Sequence, residues 1–100
     1  MARVMTPDGH SYVLGMSESL PMNINTLTKL VGGPMEVMEL SKDFAMVFNK
    51  DLEDKASPDS PDLNVSAASL LNRMFGLLQP VMGTVVILDM DDAIFMTKGL

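Results

Sequence analysis

A helix must stop and a strand must start within a few residues at Leu30-Val31-Gly32-Gly33-Pro34-Met35-Glu36-Val37. Val31 ends an apolar stripe, and Gly32 can take the left-handed conformation that closes a helix. Gly33 frees the next joint. Pro34 cannot continue a helix, and Met35 and Val37 open an extended run. The helix before it is short, about eight residues, and needs a sheet to pack on, since isolated helices of that length are marginal.

One hundred residues make a single domain, 1–100, with room for one modest core. Seven Lys and Arg stand against thirteen Asp and Glu, giving a net charge of −6. That argues against a general nucleic-acid or anionic-membrane binder, which needs a basic face. There is no cysteine, hence no disulfide and no thiolate metal site, which fits the cytosol. No apolar run approaches the roughly twenty residues of a membrane span, and the N-terminus lacks the apolar core of a signal peptide. Eleven methionines fill a core adaptably, or form a surface that repacks against partners.

Along the chain, Ala2 to Met5 reads as a strand. Thr6-Pro7-Asp8-Gly9 is a turn, and residues 10–16 form the return strand of a hairpin. His10 is the only histidine. Beside a turn and with no second His or Cys, it reads as a solvated surface residue. Asn23 offers a helix N-cap, and Ile24, Leu27, Leu30 and Val31 share one helical face. Residues 35–40 and 44–48 read as a second hairpin. Its second strand is apolar throughout and therefore central, with both faces covered.

The stretch from Asn49 to Leu63 changes character. Its 50–63 segment is an acidic, Pro-containing loop carrying Asp51, Glu53, Asp54, Asp59 and Asp62. It lacks the Gly and closing Glu of a calcium loop, so a metal is not expected there. Asn64 is a second N-cap. Val65, Ala68, Leu71, Phe75 and Leu78 make a stripe, widened by Leu70 and Met74, with Gly76 ending the regular helix. Gly83 to Leu88 is the strongest strand signal, β-branched and apolar. Asp89 to Asp92 is read as a turn leading to a final strand over 93–97.

The expected order is β-β-α-β-β-α-β-β. That is an α+β domain with a mostly antiparallel sheet and two helices covering one face.

The run from Leu27 to Leu40 resembles a family of small domains of unknown function from bacteriophages and other bacterial mobile elements. In that family a helix ending in Val-Gly-Gly runs into an Ile/Met-Glu-Val strand. The apolar strand ending in Phe48-Asn49 resembles the next family element. Leu63-Asn64 with Ala67-Ala68 resembles a later Asn-led helix start, and Gly83-Thr84-Val85-Val86-Ile87 the closing strand. The resemblance covers about residues 24–88. It departs between Asn49 and Asn64, where the family usually has a shorter Gly-containing turn.

The resemblance implies a phage-type accessory protein acting in the bacterial cytoplasm. Small proteins of that kind often counter host defence, some as sponges that sequester a nucleotide immune signal without cutting it. A phosphate-bearing ligand would need donors. The candidates are the helix start at Asn64, Val65 and Ser66, the glycine joint at Gly32 and Gly33, Asn49, and the cations Lys29, Lys50 and Arg73. A base could stack on Tyr12, Phe48 or Phe75. A pocket for such a ligand forms most easily between subunits, so a homo-oligomer is expected. The alternative is an acidic protein that binds and inhibits a basic host protein, using Asp51 to Asp62 with Asp89, Asp91 and Asp92. An enzyme ranks last. No nucleophile elbow, phosphate loop or paired metal-ligand spacing is present, and no catalytic residue, cofactor, metal or direct nucleic-acid contact is expected.

Overall fold

The computed structural model describes residues 2–14, 24–53, 62–76 and 80–91. Strands β1 (Ala2–Met5) and β2 (Ser11–Leu14) form the first hairpin. Helix α1 (Ile24–Val31) leads into β3 (Met35–Glu39) and β4 (Phe44–Asn49), the second hairpin. A helical turn α2 (Lys50–Glu53), a longer helix α3 (Val65–Phe75) and strand β5 (Val85–Asp89) follow. All five strands join one antiparallel sheet in the order β2-β1-β5-β4-β3. The class is α+β.

The strongest strand in the sequence occupies the centre of the sheet. Val86 of β5 sits between Val4 of β1 and Val47 of β4, and Leu88 between Ala2 and Ala45. Alternate residues point to opposite faces. Ala2, Val4, Ala45, Val47, Val86 and Leu88 meet Leu27 and Val31 of α1 on one face. Met46 and Val85, with Met5, Met38, Phe48 and Ile87 around them, meet Ala67 and Leu71 of α3 on the other.

The expectation that both helices cover one face is therefore corrected. Central strands apolar on both sides require a cover on each side, and the two helices divide that task.

The stripe expected on α3 is also corrected. Ala67 and Leu71 are buried and Ala68 and Leu70 half-buried, while Val65 is 61% exposed and Met74 and Phe75 are nearly half exposed. The buried face therefore runs through Ala67, Ala68, Leu70 and Leu71, and Val65, Met74 and Phe75 fall outside it. Gly76 ends it as expected, in the left-handed region at φ 68°, its N–H donating to the Asn72 carbonyl at 2.8 Å.

The loop expected over 50–63 begins instead as α2, because Asn49 caps it; 54–61 lie outside the described residues. Asn23 and the strand expected over 93–97 also lie outside them. Both edges of β5 are occupied, by β1 and β4. β4 is central as expected, but its first residue, Phe44, is left exposed.

Candidate functional site

Four of the polar candidates fall at two joints of the fold. At the first, Gly32 has φ +84°, and its N–H donates to the Thr28 carbonyl at 2.9 Å. The Gly33 N–H donates to the same carbonyl at 3.1 Å. Both glycine donors thus close the helix and are not directed at a ligand. The Asn49 side chain lies against them. Its Nδ2 donates to the Val31 carbonyl at 3.1 Å, and its Oδ1 accepts from the Asp51 N–H at 2.9 Å. One buried amide therefore completes the end of α1 and caps the start of α2. The Lys50 N–H donates to the Pro34 carbonyl at 2.8 Å, while Lys50 itself is exposed.

At the second joint Asn64 is fully buried. Its Oδ1 accepts from the Ala67 N–H at 3.0 Å, the expected N-cap. Its Nδ2 donates to the carbonyls of Met5 and Gly83, each at 2.9 Å. The start of α3 is thereby tied to the end of β1 and the approach to β5. Gly83 has φ +76°, and a Cβ there would meet Leu52 Cδ1 at 2.7 Å. Among the described residues, no buried side-chain nitrogen or oxygen lacks a partner.

The remaining candidates do not converge on these amides. Val65 is exposed and Ser66 half-buried at the start of α3. Arg73 is exposed in the last turn, eight residues after Val65, which is about 12 Å along a helix axis. That position suits the negative end of the helix dipole. Lys29 is exposed in the last turn of α1. Tyr12 and Phe75 are part-exposed and Phe48 packs against the core.

His10 is exposed, as expected, but it has a partner. Its Nδ1 lies 2.9 Å from Asp8 Oδ2 across the first turn. Asp8 also accepts from the Thr6 hydroxyl and, at 3.2 Å, from the His10 N–H. The Thr6 hydroxyl, followed by the His10 side chain and N–H, holds the Asp8 carboxyl down at about 2.

The concavities lined by described residues include two of note. One is an apolar crevice between the sheet and α3, bounded by Met38, Met46, Phe48, Leu71 and Met82, with room for about one water at about 20 Å³. The other is an open polar hollow of about 370 Å³ where the β3–β4 turn meets the end of β5. Lys42, Asp43, Phe44, Asp89, Met90 and Asp91 line it. The Ser41 hydroxyl accepts from the N–H groups of Asp43 and Phe44, at 3.1 and 3.2 Å. The Met90 N–H donates to the Asp43 carbonyl at 2.7 Å, tying the two walls together.

Sequence reasoning missed this hollow. The available signal was an aromatic directly after Ser41-Lys42-Asp43, a place where a strand is only beginning to be covered. Among the described residues, no group of three or more His, Asp or Glu is placed to hold a metal ion, and no helix is long and apolar enough to cross a membrane. Compared with protein-family models, curated proteins and solved structures, the chain matches none.

Proposed function

We propose that this domain is a non-enzymatic binding module whose partner is a basic protein. The supporting observation is the excess of exposed acid over base. Asp8, Glu36, Glu39, Asp43, Asp51, Asp62 and Asp91 are all exposed, on a chain of net charge −6. An acidic surface of this kind steers and holds a basic partner. In the setting implied by the resemblance, that partner is a host protein and the outcome of binding is inhibition.

Sequestration of a nucleotide has less support. Its buried amides and glycine N–H groups are engaged within the fold, and its cations lie apart. The apolar crevice is far too small for a nucleotide, since ligand pockets run to roughly 300 Å³ and more.

The test pairs two measurements. The immobilised 100-residue chain should capture strongly basic proteins at low salt and release them at about 1 M salt, where the Debye length is about 3 Å. A thermal-shift panel of cyclic di- and trinucleotides should leave the melting temperature unchanged. A shift of several degrees with one nucleotide, returned intact after denaturation, would replace this reading with sequestration. Its turnover would establish an enzyme.

A further inference from the structure

The sheet ends in two edge strands, and they are guarded differently. β3 carries Glu36 and Glu39, both exposed. Glu36 pairs with Phe48 on the α3 face and Glu39 with Ala45 on the α1 face, so an acid stands on each side of that edge. β2, by contrast, reads Ser11-Tyr12-Val13-Leu14, with no charge and no proline. Tyr12 and Val13 point to opposite faces and are 45% and 49% exposed. Among the described residues, no strand lies beyond β2. The first turn fixes which way its backbone groups point. The Thr6 N–H donates to the His10 carbonyl at 2.9 Å, so His10 bonds inward across the hairpin. Inward bonding alternates along an antiparallel pair, so Tyr12 and Leu14 also bond toward β1. The N–H and C=O groups of Ser11 and Val13 therefore face outward.

We propose that β2 pairs antiparallel with β2 of a second copy of this chain, about a two-fold axis that sets each Tyr12 opposite its own copy. In that register Ser11 of each chain exchanges N–H···O bonds with Val13 of the other, and every outward group of the two residues is used. A two-fold contact requires a surface complementary to itself, and an edge with alternating outward donors and acceptors is one. Charge selects this occupant and this edge. A chain of net charge −6 repels its copies wherever acid meets acid, and pairing β3 with β3 would crowd glutamates along one seam. In the first hairpin Arg3 balances Asp8, so β2 approaches its copy without an excess of acid. The contact goes beyond the basic-partner reading and does not depend on it.

The experiment is sedimentation equilibrium of the 100-residue chain, carried up to about 1 mM because a seam of short strands lies at the weak end of interfaces. A dimer should form and should tighten with added salt, which screens the net charge, whereas a basic partner is released by salt. Tyr12→Glu and Tyr12→Lys should each weaken the dimer by about tenfold, since the ring pair is lost and like charges face each other. Mixing the two variants should restore it. Val37→Glu, on the other edge, should leave it unchanged. Hydrogen exchange on the parent chain needs no variant: the Ser11 and Val13 amides should exchange more slowly as concentration rises. A monomer at every concentration, a dimer that Tyr12→Glu leaves intact, or a mixture no tighter than either variant alone would overturn the pairing. Ser11 and Val13 amides that exchange at the same rate in monomer and dimer would overturn it too. Capture of basic proteins is measured separately, so that reading stands or falls on its own.

Discussion

A Cβ added to Gly33 would lie 2.8 Å from Nδ2 of Asn49, closer than side-chain carbons approach other atoms in folded proteins. The Gly-Gly joint and the Asn that ends β4, 16 positions after Gly33, are thus two halves of one contact. The glycine leaves space, and the amide fills it while bonding to the Val31 carbonyl and the Asp51 N–H.

Gly33→Ala should therefore destabilise the domain by about 1–3 kcal/mol, the usual range for overpacking. Asn49→Ala should cost about 1–3 kcal/mol through groups left without a partner. The double variant should lose less than the sum, because the clash disappears with the amide. Urea unfolding of the four proteins measures that coupling. Simple additivity would remove the contact from the account.

Asn64 makes a sharper case, because its two side-chain functions can be separated. Asp is as good an N-cap as Asn on an exposed helix. Here Asn64→Asp keeps the acceptor for the Ala67 N–H but turns the donor toward Met5 and Gly83 into a second acceptor facing two carbonyls. A loss of about 2 kcal/mol or more is expected, since buried polar groups are left unpaired. Urea unfolding reads it. A neutral effect would mean that Asn64 acts only as a cap.

Helix phase predicts a contrast along α3. Leu71→Ala should cost about 2–5 kcal/mol, as for other buried leucines. Phe75→Ala, at an exposed position, should change stability by less than about 0.5 kcal/mol. Thermal melts separate the two, since about 1 kcal/mol moves the midpoint by roughly 4–8 °C in a domain near this size.

The first turn carries the pH dependence. The Asp8 carboxyl is lowered from 3.8 to about 2 by the Thr6 hydroxyl and His10. A depressed carboxylate stabilises the folded chain above its unfolded value and loses that contribution as pH falls through its folded value. The turn's contribution should thus be complete above about pH 4 and fade toward pH 2. An NMR titration of the Asp8 carboxyl should give a midpoint near 2. In Thr6→Val the midpoint should move up toward the ordinary value.

Much of this fold was legible in the sequence because its signals are local. The Thr6-Pro7-Asp8-Gly9 turn, the Gly32-Gly33 stop, the Asn64 cap and the Gly83-led strand each specify a conformation over a few residues. What was not legible depends on distance in space. The helices divide between two faces because β4 and β5 are apolar on both sides, and periodicity alone does not say which helix takes which side. The same limit affected the site. Asn49, Asn64, Gly32 and Gly33 are of the types that hold phosphates, and only their partners show that they join helices to strands. Phe44 read as core because its neighbours are core, yet at the first position of β4 it is 45% exposed.

The most direct measurement is the ¹H–¹⁵N spectrum of the 100-residue chain, including side-chain amides, with a cyclic nucleotide panel. The account predicts that the Gly32 and Gly33 amides and the Asn49 and Asn64 side-chain signals stay fixed with every nucleotide. A nucleotide that shifts the Gly32, Gly33 and Asn64 signals would contradict it, showing that the amides assigned to the fold bind a ligand instead.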